Sequence, residues 1–318
     1  MRLTTFTDGN TSSYGVVLRD RVLDLRVAMQ SCWGYLDENA SKALATVPVD
    51  LLDFIMVGEV AYQAARKAMA LAIEGRLPKS ADGGDRLWHE MGNIRMLAPI
   101  ARPGKILAIG LNYSDHAAES GMSLPKNPVI FAKFATSIAG PGEAVIHPGQ
   151  ELTSQLDYEI ELAVVIGKTT RHVAVEHAMK HVFGYAIMND ISARDLQFED
   201  GQWLKGKALD TFAPFGPFLV TADEIPDPHA LDMRLTLNGQ LMQCSNTANM
   251  VFTVPRLVSY LSQLMTLEPG DVISTGTPAG VGFGRRPPVY LWPGDVVSAE
   301  IEGLGVLTNP VVGRGSVG

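Results

Sequence analysis

The spacing of apolar and polar positions changes character about a quarter of the way along the chain. Within residues 1–26, "RLTTF", "SYGVVLRD" and "RVLDL" read as short strands around an Arg-Asp turn. "DLLDFIMVG" and "AYQAARKAMALAIEGR" then carry apolar residues at helical spacing. "LPKSADGGDRL" breaks that period with proline, glycine and charge, which predicts a linker near residues 76–90. Beyond it come many short strand-like runs rich in Val, Ile, Gly and Pro. "LNGQL" among them is an Asn-Gly hairpin signal. Helical spacing returns in "AVEHAMKHV" and "VPRLVSYLSQL". The pattern predicts an α+β protein with a β-rich core, and not a run of βαβ units. It divides the chain into a small N-terminal domain (1–75), a linker and lead-in strand (76–99) and a main domain (100–318).

One strand-like stretch stands apart. In "QLDYEIELAVVIG", residues 155–167, Asp157, Glu159 and Glu161 alternate with Tyr158, Ile160 and Leu162. Side chains at i, i+2 and i+4 share one strand face. The spacing therefore predicts three aligned carboxylates on a strand that ends in a buried apolar run. Such acids are either a solvated face or a site that needs counter-charge or a cation.

Composition narrows the function. The chain has 318 residues, a net charge of −8 and no basic run. Nucleic acid binding, which needs clustered Lys or Arg, is not expected. The two cysteines, Cys32 and Cys244, supply neither a disulfide framework nor metal spacing. "MRLTTFTDGN" lacks the layout of a signal peptide, and no apolar segment reaches the roughly 18 residues that span a bilayer. These features predict a cytoplasmic enzyme with no membrane partner.

Further residues carry candidate chemistry. Asp190, in "YAIMNDISARDLQ", follows an apolar strand and adds a third oxygen donor to Glu159 and Glu161. An all-oxygen set suits Mg2+ or Mn2+. His116 and Glu119, in "GLNYSDHAAESG", lie three apart and share a face if the segment is helical. They are either a surface pair or a base held by a carboxylate. Gly121 would end that turn and let it move as a lid. Lys133 in "VIFAKFATS" and Lys207 in "LKGKALDTF" sit among apolar and small residues. Each is either a snorkelling lysine or a stabiliser of negative charge. "STGTPAGVGFG" is a glycine-rich loop without the closing residues of a Walker loop. It is either a turn or an anion-holding loop.

Taken in order, "GLNYSDHAAESG", "PVIFAKFATSIAGPG", "LDYEIELAVVIG", "GYAIMNDISARDLQ", "GKALDTFAPFGPFLV" and "GDVISTGTPAGVGFG" resemble the fumarylacetoacetate hydrolase family. The resemblance covers roughly residues 100–310. It implies a mixed β-roll core behind a small N-terminal domain, and a homodimer. It also implies Mg2+ or Mn2+ held by Glu159, Glu161 and Asp190, and a His116–Glu119 dyad. Substrate contacts would come from Arg194, Gln197, Lys207 and Thr277, with Lys133 a further candidate. Leu111 stands where some relatives carry a basic residue.

The C-terminal stretch "GFGRRPPVYLWPGDVVSAEIEGLG" looks like the branch that hydrolyses 2,4-dioxo acids. The expected activity is therefore metal-dependent cleavage of a C–C bond in a 2,4-dioxo acid, of the acylpyruvate, fumarylpyruvate or sugar-derived kind. His116 would activate water, and Lys207 with the metal would stabilise a pyruvate enolate. The alternative is a metal-dependent decarboxylase or isomerase of a 2-oxo acid such as oxaloacetate. A non-catalytic metal- or carboxylate-binding protein would keep the acids but would not need the dyad.

Overall fold

Strand pairing around Ile160–Ile166 organises the molecule. A computed structural model describes residues 1–35, 44–77, 87–120 and 123–315. The first strands are β1 (Arg2–Thr7), β2 (Ser12–Leu18), β3 (Arg21–Asp24), β4 (Trp88–Glu90) and β5 (Arg95–Leu97). Between β3 and β4 lie helices α1 (Leu25–Ser31), α2 (Leu51–Val57) and α3 (Glu59–Ile73). Asp24 and Asp50 cap α1 and α2 by accepting hydrogen bonds from the backbone N–H groups of Val27 and Asp53. The linker predicted near 76–90 falls largely on residues 78–86, outside the described residues.

The remainder begins with β6 (Ile106–Gly110), helix α4 (Ser114–Ser120), β7 (Val129–Lys133), β8 (Ile138–Ala139) and β9 (Val145–His147). It continues through β10 (Leu156–Asp157), β11 (Ile160–Ile166), α5 (Val175–Ala178), β12 (Val182–Asn189) and β13 (Ser192–Ala193). Then follow α6 (Arg194–Phe198), α7 (Leu204–Lys207), β14 (Ala213–Thr221), β15 (Asp232–Leu237) and β16 (Gln240–Asn246). Helix α8 (Val254–Leu264), β17 (Val272–Ser274), β18 (Val296–Ile301) and β19 (Gly305–Gly313) complete it.

Among the described residues, ten strands run side by side in the order β4-β3-β2-β1-β14-β12-β11-β17-β6-β7, with β5 and β8 attached at the side. The N-terminal strands join the main sheet directly, because β1 pairs with β14. A second sheet, β16-β15-β18-β19-β9, packs over it. Its inward residues, including Met233, Leu235, Val297 and Ala299, share a core with Ile160, Leu162 and Val164 of β11. On the other face, Ala163 and Val165 pack with Leu25, Phe54 and Ala65 from the N-terminal helices. Both faces of β11 are thus covered, which is why its apolar run is continuous and not alternating.

The structure corrects the predicted single strand over 155–167. The chain leaves the ladder at Tyr158 and Glu159, so Asp157 belongs to β10 and pairs with Ser192 of β13. Asp157 is therefore not aligned with the other two acids on one strand. The hairpin at Asn238-Gly239 and helix α8 lie where the spacing placed them. No helix among the described residues is long and apolar enough to cross a membrane. Cys32 is buried and Cys244 exposed, and both are free.

Candidate active site

Antiparallel pairing brings the acids together. Ile160 at the start of β11 faces Asn189 at the end of β12. The ladder continues one step outward, where the Asp190 N–H donates to the Glu159 carbonyl at 2.8 Å. Glu159, Glu161 and Asp190 thereby converge, with one carboxylate oxygen from each lying within 4.8 Å of the others. All three are buried.

Three cations surround them. Lys207 Nζ, from α7, lies 2.7 Å from Glu159 Oε2 and 2.8 Å from Asp190 Oδ2. Lys133 Nζ, at the end of β7, lies 2.5 Å from Asp190 Oδ1. Arg194 Nη2, from α6, lies 2.6 Å from Glu159 Oε1. Burial opposes charge at Glu159, Lys207 and Lys133, and the outcome differs among them. Glu159 is driven well below the usual carboxylate range, because Lys207 and Arg194 outweigh its burial. Lys207 is raised, since Asp190 and Glu159 overcome its desolvation. Burial wins at Lys133, which is lowered.

Glu161 is different. Its Oε2 accepts from the Ser274 hydroxyl at 2.6 Å and from the Gly276 N–H at 2.9 Å, and no lysine or arginine among the described residues pairs with it. Gly276 has φ +100°, and a Cβ there would lie 2.8 Å from that of Asn112, so the turn that aims this amide requires glycine. Burial, then Asp190 and Glu159, push the Glu161 carboxyl well above its usual range. The three cations pair with Glu159 and Asp190 and leave Glu161 without an ion-pair partner among the described residues. An all-oxygen donor set of this kind fits a hard divalent cation, and Glu159, Glu161 and Asp190 are the residues that would hold it.

Above the acids opens a cleft lined in part by His116, Arg194, Gln197, Lys207 and Thr277. Its side walls are aromatic. Phe131 and Trp203 meet edge to face at 5.6 Å, and Phe198 and Phe283 lie 5.4 Å apart. Lys207 Nζ stands 5.1 Å from the Phe131 ring centre. His116 and Glu119 share one face of α4, with Nδ1 3.8 Å from Oε2. Glu119 also accepts from the Gly280 N–H at 2.9 and 3.1 Å, which ties α4 to the glycine-rich loop. Burial raises the Glu119 carboxyl, but His116 and the Gly280 amide outweigh it and lower the acid overall. Gly121, the predicted end of this segment, lies outside the described residues.

Thus the structure brings Glu159, Glu161, Asp190, Lys207, Arg194, Gln197, Thr277 and His116 to one place. Lys133 sits behind Asp190 and not among the residues lining the cleft. Thr277 is anchored, donating to the Ile160 carbonyl at 3.0 Å and accepting from Gln243 Nε2 at 2.8 Å.

Two contributors escape sequence reasoning. Asp157 holds Arg194 through Oδ2 and accepts from the Gly282 and Phe283 N–H groups. Its place in the acidic run was visible, but its partners lie 37 and 125 residues away. Gln243 joins Ile160 to the 277–278 turn and gives no sequence signal among the other polar residues of its hairpin.

Comparison with known proteins bears on this site. Residues 105–312 match the fumarylacetoacetate (FAA) hydrolase C-terminal family. The mitochondrial oxaloacetate tautomerase Fahd2a of Rattus norvegicus is 45% identical over 267 residues, covering 84% of this chain and 80% of the relative. The mitochondrial oxaloacetate tautomerase FAHD2A of Homo sapiens is 45% identical over 269 residues, 84% of this chain and 81% of its own. Among solved structures, maleylpyruvate hydrolase from Sphingobium sp. SYK-6, in complex with manganese(II) and pyruvate, superposes with a TM-score of 0.75. It is 32% identical and covers 98% of this chain and 99% of that one. These relatives bear out the sheet-rich α+β architecture expected from the sequence. The carboxylate cluster is consistent with the metal binding of that neighbour.

Two expectations are corrected. Cleavage of a C–C bond in a 2,4-dioxo acid gives way to the alternative of 2-oxo acid isomerisation, because relatives sharing 44–46% identity are named oxaloacetate tautomerases. The predicted cytoplasmic location is likewise withdrawn, since those relatives are named mitochondrial proteins.

Proposed function

The chain belongs to the fumarylacetoacetate hydrolase family, and from that premise we propose that it is a metal-dependent tautomerase of oxaloacetate or a closely related 2-oxo acid. Tautomerisation breaks no carbon–carbon bond. It moves a proton between the oxygen on C2 and the carbon at C3, so it needs a proton carrier beside a site that stabilises an enolate. The observation that carries the reading is the placement of His116 on a cleft whose floor combines three converging carboxylates with two fixed cations.

A divalent ion, which Glu159, Glu161 and Asp190 would hold, would supply Lewis-acid polarisation of the 2-oxo acid end. The protein's own groups do the rest. Lys207, kept charged by Glu159 and Asp190, offers an ammonium to the oxygen on which negative charge gathers. Arg194, with its guanidinium fixed by Asp157 and Glu159, orients the carboxylate, and Gln197 supports Arg194 Nη1 at 3.0 Å. Thr277 holds the turn that bounds the floor. In ketonisation the C2 hydroxyl loses its proton and His116 delivers one to C3; in enolisation His116 takes the C3 proton and the C2 oxygen gains one, while Glu119 fixes the imidazole. A homodimer is part of the proposal, and the mass in solution tests it.

The direct test follows the absorbance of enol-oxaloacetate with chelated protein, then with Mg2+ or Mn2+ restored, while carbon dioxide is measured in parallel. The expected result is metal-dependent ketonisation with neither carbon dioxide nor a new acid. Decay at the uncatalysed rate overturns the reading, and carbon dioxide release replaces it with decarboxylation.

A further inference from the structure

The cleft is more aromatic than a four-carbon diacid requires, with Phe131, Phe198, Trp203 and Phe283 among its lining residues. Positive charge is confined to the floor, where Lys207 is bound to Glu159 and Asp190, and Arg194 to Asp157 and Glu159. Among the described residues no further lysine or arginine lines the cleft. Oxaloacetate carries a second carboxylate at C4, and no lining lysine or arginine remains to meet it.

What lies beyond the floor is apolar. On the Lys207 side, Trp203 packs on Phe131 and against Gly110, where a Cβ would sit 2.4 Å from the indole. On the Arg194 side, Phe283 packs on Phe198, which is 41% exposed. Leu111, held at φ +55°, adds an aliphatic side chain between strand β6 and α4. Aromatic rings that line a cleft, with Phe198 exposed at its rim, favour packing on a flat apolar group over solvating a carboxylate.

We propose that the site also takes 2-oxo acids with a flat apolar substituent on C3, arylpyruvates as a chemical class, and interconverts their enol and keto forms. The inference rests on the tautomerase reading above. The step is balanced within the substrate: the O–H bond at C2 breaks, a C3–H bond forms, and the C2=C3 double bond becomes C2=O. No oxidant, reductant or second substrate is needed.

The test follows enol-phenylpyruvate and enol-oxaloacetate separately with the Mg2+-loaded protein, and repeats both with Phe198→Ala, a change at the exposed rim that leaves the core intact, and with Phe198→Ala combined with Phe283→Ala. Both enols are expected to be ketonised faster than in buffer. The double variant is expected to lose about tenfold in kcat/KM on phenylpyruvate, mostly through KM, and far less on oxaloacetate. If oxaloacetate is ketonised and phenylpyruvate is not, the inference fails while the tautomerase reading stands. If neither is accelerated, both fail. Equal losses on the two substrates in the single variant also overturn the inference, because they show general damage in place of a subsite for the apolar group.

Discussion

Asp157 and Arg194 form a buried two-point ion pair, with Oδ2 of the acid 2.9 Å from Nε and 2.8 Å from Nη2 of the guanidinium. Their side chains are 0% and 4% exposed, so neither charge has water as a substitute partner. Asp157 also receives the amides of Gly282 and Phe283 at 2.8 and 2.9 Å. One carboxylate thus fixes both the arginine and the loop that carries an aromatic wall of the cleft. Asp157→Ala removes one partner of a buried pair, a change that costs about 3–5 kcal/mol. Chemical unfolding should show a loss of that order. A loss below about 1 kcal/mol, typical of exposed pairs, would mean that water enters and that Asp157 does not set the arginine.

Glu161 separates metal binding from folding. Glu161→Gln keeps the shape and leaves an oxygen to accept from the Gly276 N–H, but removes a charge that burial, Asp190 and Glu159 disfavour. The chelated variant should melt no lower than the chelated wild type. Adding Mg2+ should raise the melting temperature of the wild type, as any ligand of the folded state does, and should raise that of the variant much less. An equal rise in both proteins would place the ion elsewhere.

Much of this site was readable from the sequence, for reasons that also mark where reading stops. Glu159, Glu161 and Asp190 are visible because acids at the ends of apolar strands are costly unless something answers their charge. Lys133 and Lys207 are visible as cations in apolar settings, but the setting does not say which carboxylate each meets. Lys133 turns to Asp190 and the carbonyls of Ile191 and Lys207, away from the cleft. Alternation locates β1, yet nothing local predicts that it pairs with β14, more than two hundred residues on. The break at Tyr158–Glu159 was invisible for a similar reason. It is set by the Asp157–Ser192 pairing and by the Asn189 side chain, which accepts from the Glu159 N–H at 2.9 Å. The aromatic pairs joining Phe131 to Trp203 and Phe198 to Phe283 depend on loops that only the closed fold brings together.

Glu119 links two parts of the cleft, facing His116 at 3.8 Å and the Gly280 amide at 2.9 Å. Glu119→Gln retains an acceptor for the amide and loses the charge that faces the imidazole. Misplacement of a reacting group by about 1 Å costs up to roughly 100-fold. Turnover should therefore fall by about one to two orders of magnitude, while the melting temperature and the Mg2+-dependent rise stay near those of the wild type. A variant that kept full turnover would show that the imidazole is held without Glu119.

Lys207 offers the sharpest division between a structural and a chemical role. Its Nζ lies 2.7 Å from Glu159 and 2.8 Å from Asp190 with its side chain 2% exposed, yet the residue also lines the cleft. Lys207→Met keeps the stem that packs beside Phe131 and removes the charge. Without metal, the variant leaves two buried carboxylates short of a cation, so its chelated form should be less stable by about 3–5 kcal/mol. Bound Mg2+ supplies positive charge to the same carboxylates, so the metal-dependent rise in melting temperature should be larger than in the wild type. Stability is thereby restored by the ion, but the ammonium offered to the developing enolate is not. Turnover with saturating Mg2+ should remain down by roughly 10²–10³-fold. Oxalate, a planar mimic of the enolate, should bind the Mg2+-loaded variant more weakly. The three measurements are made on one preparation: melting with and without Mg2+, ketonisation of enol-oxaloacetate, and oxalate titration. Recovery of turnover together with stability on adding Mg2+ would make Lys207 a counter-charge for the empty carboxylates and nothing more. A persistent loss of turnover in a protein restored to full stability would assign the ammonium to the reaction itself.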